Sequence, residues 1–322
     1  MKTLVWLQAG SCGGCTMSVL ERGLFDALRR MGLRLLWHPS LSLDEGGRVR
    51  ALLDSIVAGE THLDILCVEG AALRGPGGTG RFDRFAGRAM LDWLRDLAPR
   101  AGACVAVGSC AAFGGLPAAA PSTDAVGLQY ADDAPGGALG ADYVSAGGLP
   151  VVNVSGCAPH PDWILETLQA LAAGCLGPAD LDVFARPRLF ADHLAHHGCA
   201  RNEFYEFKAS AEAPYERGCL MESLGCKATQ AVGDCAQRVW NGGGGCTRVG
   251  STCIACTSPG FQNGKDFHHT PKIAGIPVGL PLDMPKAWFV ALAALSKSAT
   301  PARVKTNARS DRIETPPEPG KA

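Results

Sequence analysis

Cysteines carry the most informative chemistry in this sequence. Cys12 and Cys15 enclose two glycines in a loop that directly follows an apolar, β-rich segment, and Cys110 and Cys157 each follow another such segment. Because open α/β sheets gather ligands at the carboxyl ends of their parallel strands, we expect these four thiols to converge there. Four thiolates are the ligand set of a cubane iron–sulfur cluster. Cys12 and Cys15 alone would also fit a redox dithiol or half of a zinc site.

The second half of the chain contains a further set of candidate ligands. One histidine and seven cysteines supply eight side chains, which is enough for two sites of four ligands each. Structural zinc sites also use Cys₃His and Cys₄ sets, so the spacing leaves both zinc and iron–sulfur clusters open. The eight candidates are His196, Cys199, Cys219, Cys226, Cys235, Cys246, Cys253 and Cys256.

Composition favours metal ligation over disulfide bonds. The chain has 14 cysteines in 322 residues, and its start lacks the pattern of a signal peptide. Disulfide-dense chains are usually small and secreted, so the clustered thiols indicate metal ligands in a reducing, cytoplasmic location. Cys67, Cys104 and Cys175 receive no role.

Charge and hydropathy give no sign of nucleic-acid binding or of a membrane span. The formal net charge is −1, and no apolar run reaches the ~20 residues of a membrane span.

The elements that must position the first four thiols alternate between strand-like and helix-like segments. This alternation predicts an α/β fold with a flavodoxin-like, doubly wound parallel sheet. Strands are predicted at residues 3–7, 34–37, 63–68, 103–107 and 151–154, with helices at 17–31, 48–58, 82–97 and 163–172.

The pattern changes near residue 181, where clear strands stop and Gly, Cys and charged residues become frequent. Such a segment buries too little apolar surface to fold alone, and bound metal would supply the missing cross-links. We therefore predict a flavodoxin-like domain over 1–180 and a mostly irregular and helical iron–sulfur domain over 181–298. A last helix is predicted at 284–297 with Asp283 as its N-cap. Residues 299–322 are predicted to form a flexible polar tail.

Short motifs around these ligands resemble those of NiFe hydrogenase small subunits over nearly the whole chain. They include Cys-Gly-Gly-Cys-Thr from residue 12, Gly-Ser-Cys-Ala from 108, Gly-Cys-Ala-Pro-His-Pro-Asp-Trp from 156 and Cys-Ile-Ala-Cys from 253. The resemblance implies an electron-transfer subunit with three 4Fe–4S clusters, whose NiFe centre lies in a partner large subunit. It implies proximal ligands Cys12, Cys15, Cys110 and Cys157, medial ligands Cys235, Cys246, Cys253 and Cys256, and distal ligands His196, Cys199, Cys219 and Cys226.

Individual positions refine what the resemblance implies. The family spacing His-x-x-Cys selects His196 over His197. Many relatives have proline at the position of Cys246 and a 3Fe–4S medial cluster, so a fourth thiolate here implies a 4Fe–4S cluster instead. Gly14 and Gly115 stand where oxygen-tolerant relatives carry extra cysteines, which implies an ordinary proximal cubane.

The sequence also lacks the export leader and the membrane-anchoring helix of many relatives. This combination resembles the cytoplasmic regulatory, hydrogen-sensing hydrogenases. The implied partners are the large subunit, in a heterodimer or a dimer of heterodimers, and a sensor histidine kinase. A cytoplasmic uptake or energy-conserving hydrogenase and a structural zinc protein are the alternatives. No catalytic residue is assigned to this chain, and Glu21 and Glu69 near the proximal ligands are left without a role.

Overall fold

The chain folds into two compact units. The computed structural model describes residues 1–240, 242–264, 267–273, 276–277 and 285–317. The first unit contains Met1–Leu189 and Cys256–Asn263, and the second contains Phe190–Ala255 and Gly264–Ala322. The boundary between the units therefore lies at Leu189, whereas the sequence predicts it at residue 180. The short segment Cys256–Asn263 also belongs to the first unit.

A five-stranded parallel sheet forms the centre of the first unit. Its spatial order is β2-β1-β3-β4-β5, which is the flavodoxin-like order. Every residue of β3 and β4 is buried, as expected for inner strands with both faces covered. The predicted fold class is thus confirmed. The strands are β1 (Lys2–Gln8), β2 (Leu33–Trp37), β3 (Ile65–Glu69), β4 (Ala103–Val107) and β5 (Val152–Val154).

Helices connect and cover the strands of this sheet. Trp93 and Leu53 from two of them are fully buried in the core with Val5 and Leu66 of the sheet. The helices of the first unit are α1 (Gly14–Leu20), α2 (Leu24–Arg30), α3 (Gly47–Ala58), α4 (Met90–Leu97), α5 (Ser109–Phe113), α6 (Gly115–Ala118) and α7 (Pro161–Ala173). Short 3₁₀ helices lie at Ala98–Arg100, Pro121–Thr123, Pro178–Asp180 and Phe261–Asn263.

Two predicted helices differ from the structure. The segment 17–31 forms the separate helices α1 and α2, because Gly23 between them adopts a left-handed conformation with φ of 67°. The segment 82–97 is helical only from Met90. Its first half pairs Arg84–Phe85 with Arg88–Ala89 in a small antiparallel ribbon. Further two-residue pairs join Ala72–Leu73 to Ala125–Val126, and Tyr130–Ala131 to Ala134–Pro135.

The second unit is mostly irregular, as predicted. A 3₁₀ helix spans Ala195–Gly198, and Lys272–Ile273 pairs with Ile276–Pro277. The C-terminal helix begins at Lys286, whereas the predicted N-cap Asp283 lies outside the described residues. The remaining helices are α8 (Arg188–Ala191), which begins at the end of the first unit, α9 (Asn202–Glu206), α10 (Lys286–Ala299) and α11 (Ala302–Ala308).

Helix α11 corrects the prediction of a flexible tail. Val304 is fully buried, and Asn307 is 3% exposed. Arg303 pairs with Glu203, which fixes the helix to α9. Arg303 and Arg309, which pairs with Glu212, therefore contribute to packing within the second unit. None of the helices in the described part of the chain combines the length and apolarity that a bilayer span requires.

Candidate metal-cluster sites

The first candidate site lies at the carboxyl edge of the parallel sheet. Cys12 and Cys15 occupy the loop between β1 and α1 and the start of that helix. Cys110 lies in the first turn of α5, directly after β4, and Cys157 follows β5. The fold thus delivers all four predicted proximal thiols to the edge where open α/β sheets bind ligands, beside the point where the strand order reverses.

Electrostatic interactions show that these four thiols are neighbours. Burial raises the pKa of the Cys15 thiol far above its ordinary value, and the Glu69 carboxylate and the thiols of Cys110, Cys12 and Cys157 raise it further. Burial also raises the pKa of Cys110 to about 11. Such thiols stay protonated without a cation, so a bound metal must supply the charge that stabilises their thiolates.

Two glycines leave the space that a cluster beside these thiols would need. A β-carbon added at Gly108 would lie 2.5 Å from Cys15 Sγ, and one added at Gly115 would lie 2.7 Å from Cys110 Sγ. Any other residue would therefore collide with a predicted ligand. Both glycines also have positive φ angles, of 91° and 51°, a conformation that favours glycine.

Glu69 organises the loop that carries Cys15. It ends β3, is fully buried, and accepts hydrogen bonds from the backbone amides of Cys15 and Thr16, both at 3.1 Å. The hydroxyls of Ser11, at 3.0 Å, and Thr16 also donate to it. Glu69 therefore holds the Cys15 amide in place and puts a negative charge beside the thiols.

His38 extends this buried network. Its Nδ1 accepts a hydrogen bond from the Ser40 amide at 3.1 Å, and its Nε2 lies 3.1 Å from Thr16 Oγ1. Burial lowers the pKa of His38 to about 4, against a smaller opposing effect of Glu69. The imidazole is therefore neutral, with its proton on Nε2, and donates to Thr16, whose hydroxyl in turn donates to Glu69.

The first unit also anchors Cys256. The Ser109 hydroxyl donates to the carbonyl oxygen of Cys256 and accepts from the Gly156 amide at 2.9 Å. The carbonyl of Thr257 accepts from Ser155 Oγ at 2.9 Å and from Arg186 Nη1 at 3.0 Å. Arg186 is itself held by Asp182 at 2.6 Å. One predicted medial ligand is therefore fixed by residues next to the predicted proximal ligands.

In the second unit, one cavity collects the four predicted distal ligands. His196, Cys199, Cys219 and Cys226 all line it, whereas His197 does not. Burial raises the pKa of Cys219 to about 12. The geometry thus brings this predicted set together around a single space.

Hydrogen-bond donors surround the sulfurs of this cavity. The Arg201 amide donates to Cys199 Sγ at 3.4 Å, and the Cys253 amide donates to Cys226 Sγ at 3.4 Å. Thr229 also lines the cavity, and its buried Oγ1 has no hydrogen-bond partner among the residues that the structure describes. A cluster sulfide would satisfy such a hydroxyl, so the cavity fits an iron–sulfur cluster.

The predicted medial ligands are divided between the two units. Cys235, Cys246 and Cys253 belong to the second unit and Cys256 to the first. Burial and the neighbouring Cys246 thiol raise the pKa of Cys235 to about 11, so these two lie close together. Within the described ranges, no three His, Cys, Asp or Glu side chains are placed to hold a single metal ion.

The cysteines without a predicted role are not part of these sites. Cys67 and Cys104 are fully buried within β3 and β4, as the apolar sequence around them predicts. Cys175 is exposed after the end of α7.

Comparisons with known proteins agree with this geometry. Residues 192–269 match the family described as the C-terminal part of NiFe/NiFeSe hydrogenase small subunits. Residues 12–171 match the family described as NADH ubiquinone oxidoreductase, 20 Kd subunit. The F420 non-reducing hydrogenase II small subunit of Methanosarcina mazei is 35% identical over 286 residues, which cover 81% of this chain and 73% of that protein. The chain belongs to the NiFe hydrogenase small-subunit family.

Solved structures place the small subunit in the same family. The NiFeSe hydrogenase of Desulfomicrobium baculatum is similar with a TM-score of 0.70 at 30% identity, over 84% of this chain and 100% of that one. The actinobacterial-type NiFe hydrogenase of Ralstonia eutropha is similar with a TM-score of 0.73 at 26% identity, over 94% and 92% of the two chains. The chain is thus part of a hydrogenase, an oxidoreductase assembly.

Sequence reasoning does not find the residues that hold the candidate ligands of the small subunit in place. Glu69 receives no role from the sequence, although a carboxylate at the end of the apolar strand Ile-Leu-Cys-Val-Glu is a signal of function. Ser109 and Arg186 act on a segment more than 70 residues away in the chain. No local pattern could have paired them with Cys256.

Proposed function

We propose that this small subunit relays electrons from H₂ oxidation in a partner large subunit through three 4Fe–4S clusters. The observation that carries the proposal is the convergence of Cys12, Cys15, Cys110 and Cys157 at one sheet edge around Glu69, in a chain of this family. The proposed medial ligands are Cys235, Cys246, Cys253 and Cys256, and the proposed distal ligands are His196, Cys199, Cys219 and Cys226.

The residues of the chain have distinct tasks in this mechanism. A bound 4Fe–4S cluster supplies reversible one-electron chemistry whose potential depends on charge, hydrogen bonds and burial. Glu69 places negative charge beside the proximal thiolates and so would favour the oxidised state of a cluster bound by them. The amide of Arg201 donates to Cys199 and favours the reduced state at the distal site. Gly108 and Gly115 keep backbone, rather than side chains, against the proximal sulfurs.

We further propose a cytoplasmic, hydrogen-sensing role, in which the heterodimer reports H₂ to a histidine kinase. A fourth thiolate at Cys246, where many relatives have proline, supports this role. An uptake role is the alternative. It is favoured by the relatives in M. mazei and D. baculatum, which are named as hydrogenases rather than as sensors. The first of these relatives is a hydrogenase that does not reduce F420, and the second is periplasmic.

Anaerobic co-purification with the large subunit tests the proposal. The heterodimer should reduce a viologen dye with H₂, and the iron of the small subunit should become reduced in the same sample. A heterodimer that contains zinc and negligible iron in this subunit would refute the relay. Slow dye reduction together with H₂-dependent change in kinase phosphorylation would support sensing, whereas rapid H₂-dependent reduction of quinone or NAD would refute it.

A further inference from the structure

A basic hollow lies in the second unit, beside the predicted distal ligands. It has a volume of about 710 Å³, and Arg201, Arg217, Arg248, His268 and Asp311 line it. Asp311 is the only carboxylate among the described lining residues, against three arginines. The hollow thus presents an excess of positive charge.

The charges of these arginines are not neutralised by carboxylates within the described part of the unit. The Arg201 guanidinium donates to the backbone carbonyls of Thr247, Glu216 and Gly218, at 2.8, 2.6 and 2.7 Å. Arg217 and Arg248 are exposed, and neither side chain forms an ion pair or hydrogen bond with a described residue. Backbone carbonyls orient a cation without cancelling its charge, so the field of the hollow reaches solvent.

Arg201 also connects the hollow with the distal site. Its side chain lines both the hollow and the cavity of the predicted distal ligands, and its amide donates to Cys199 Sγ. Thr247, whose carbonyl holds Arg201, lies 3.3 Å from Cys199 Sγ through its hydroxyl oxygen. One layer of side chains therefore separates the hollow from the site where electrons would leave.

Large exposed apolar side chains lie among the arginines that line the hollow. Tyr215 and Val249 are each 71% exposed and belong to two separate segments of the chain that line the hollow. An aromatic or apolar anchor within a charged rim is typical of protein–protein interfaces. A small anion would leave both side chains in water, whereas a protein surface would cover them.

We propose that this basic hollow docks an acidic protein that carries single electrons to or from the distal site. The inference rests on the proposed relay function and names the kind of partner at its exit. When H₂ is oxidised, the carrier gains one electron in each encounter and the distal site loses one. No bond forms or breaks, and the protons of H₂ are released at the partner subunit.

Charge reversal at the two exposed arginines tests the proposal in the intact heterodimer. We would compare Arg217→Glu/Arg248→Glu with Arg217→Lys/Arg248→Lys, which keeps the charge, and with Arg100→Glu, an exposed arginine of the first unit. The probes are plant-type ferredoxin, an acidic carrier, and methyl viologen, a cation. At ionic strength near 0.01 M, where the Debye length is ~30 Å, we expect charge reversal to lower kcat/KM for ferredoxin about tenfold or more.

The same variant should reduce viologen within twofold of wild type, and its ferredoxin rate should depend less on salt. Equal ferredoxin rates in the charge-reversed and wild-type proteins, or an equal loss in Arg100→Glu, would overturn the docking site. Loss of the distal EPR signal in the charge-reversed variant would show that the substitutions damage the distal site. In that case the Arg217→Lys/Arg248→Lys variant provides the test, and a wild-type ferredoxin rate in it would support the docking site. A wild-type heterodimer that reduces no viologen with H₂ would instead refute the proposed function.

Discussion

The Ser109 hydroxyl donates a hydrogen bond to the backbone carbonyl oxygen of Cys256. Ser109 precedes the proposed proximal ligand Cys110, and Cys256 is a proposed medial ligand. Both belong to the first unit. One serine therefore links the loop of a proposed proximal ligand to a proposed medial ligand, and the same hydroxyl also holds the Gly156 amide next to Cys157.

Replacing this serine should loosen both ligand loops. Ser109 is 1% exposed, so Ser109→Ala leaves a buried carbonyl and a buried amide without this partner, at a cost of about 1–3 kcal/mol. We expect a lower Tm and weaker magnetic coupling between the proximal and medial clusters by EPR. Ser109→Thr keeps the hydroxyl and should preserve the coupling. Unchanged coupling in the alanine variant would show that Ser109 does not set the spacing.

We expect Cys246 to decide the composition of the proposed medial cluster. Cys246→Pro removes the fourth thiolate, so we expect one iron fewer per small subunit and the EPR spectrum of an oxidised 3Fe–4S cluster. Cys175→Ser changes an exposed thiol without a role and should leave iron content and spectrum unaltered. If Cys246→Pro retained the wild-type iron content, Cys246 would not be a ligand.

Glu69 should lower the reduction potential of the proximal cluster. Glu69→Gln removes the buried negative charge and keeps one of the two oxygens that accept hydrogen bonds, because the Cys15 amide donates to Oε1 and the Thr16 amide to Oε2. Reduction adds negative charge, so the midpoint potential of the proximal cluster should become more positive in an EPR-monitored titration. Glu21→Gln is the control because Glu21 is exposed at the end of α1. A potential that Glu69→Gln leaves unchanged would contradict the electrostatic role.

His38 should make the protein less stable in acid. Burial lowers its pKa from 6.5 to about 4. Between these values the unfolded chain binds more protons than the folded one, so stability falls as pH is lowered through this window. The loss between pH 7 and pH 5 should be about 2 kcal/mol. Thermal melts should show a smaller acid-induced decrease of Tm in His38→Gln than in wild type.

The exposed His269 provides the comparison for this measurement. His269→Gln should show the same acid-induced decrease as wild type. An equal decrease in His38→Gln would show that other groups cause the acid sensitivity.

The sequence predicted the sheet well because its strands are short, apolar and buried. Residues 103–107 form β4 with the predicted bounds, and β3 differs by two residues at its start. Helix boundaries were less predictable. A single left-handed glycine at Gly23 divides one predicted helix, and residues 84–89 form a ribbon despite an amphipathic pattern.

Ligand candidates could be predicted from residue type and spacing, but their environment could not. Nothing near Ser109 in the chain indicates contact with Cys256. Nothing near Arg201 indicates that it lines both the cavity of the candidate distal ligands and the basic hollow. The polar composition of the tail predicts flexibility, whereas Arg303 and Arg309 pair with Glu203 and Glu212, which lie far away in the chain. Such pairings depend on tertiary structure alone.

Metal content of the anaerobically purified heterodimer tests the central claim most directly. Three cubanes in the small subunit predict about twelve irons bound to this chain, with three one-electron transitions by EPR-monitored titration. His196→Ala and Cys12→Ala should each remove or alter one of these three signals and leave the other two. A small subunit that binds zinc in place of iron, or that gives fewer than three transitions in intact protein, would contradict the account.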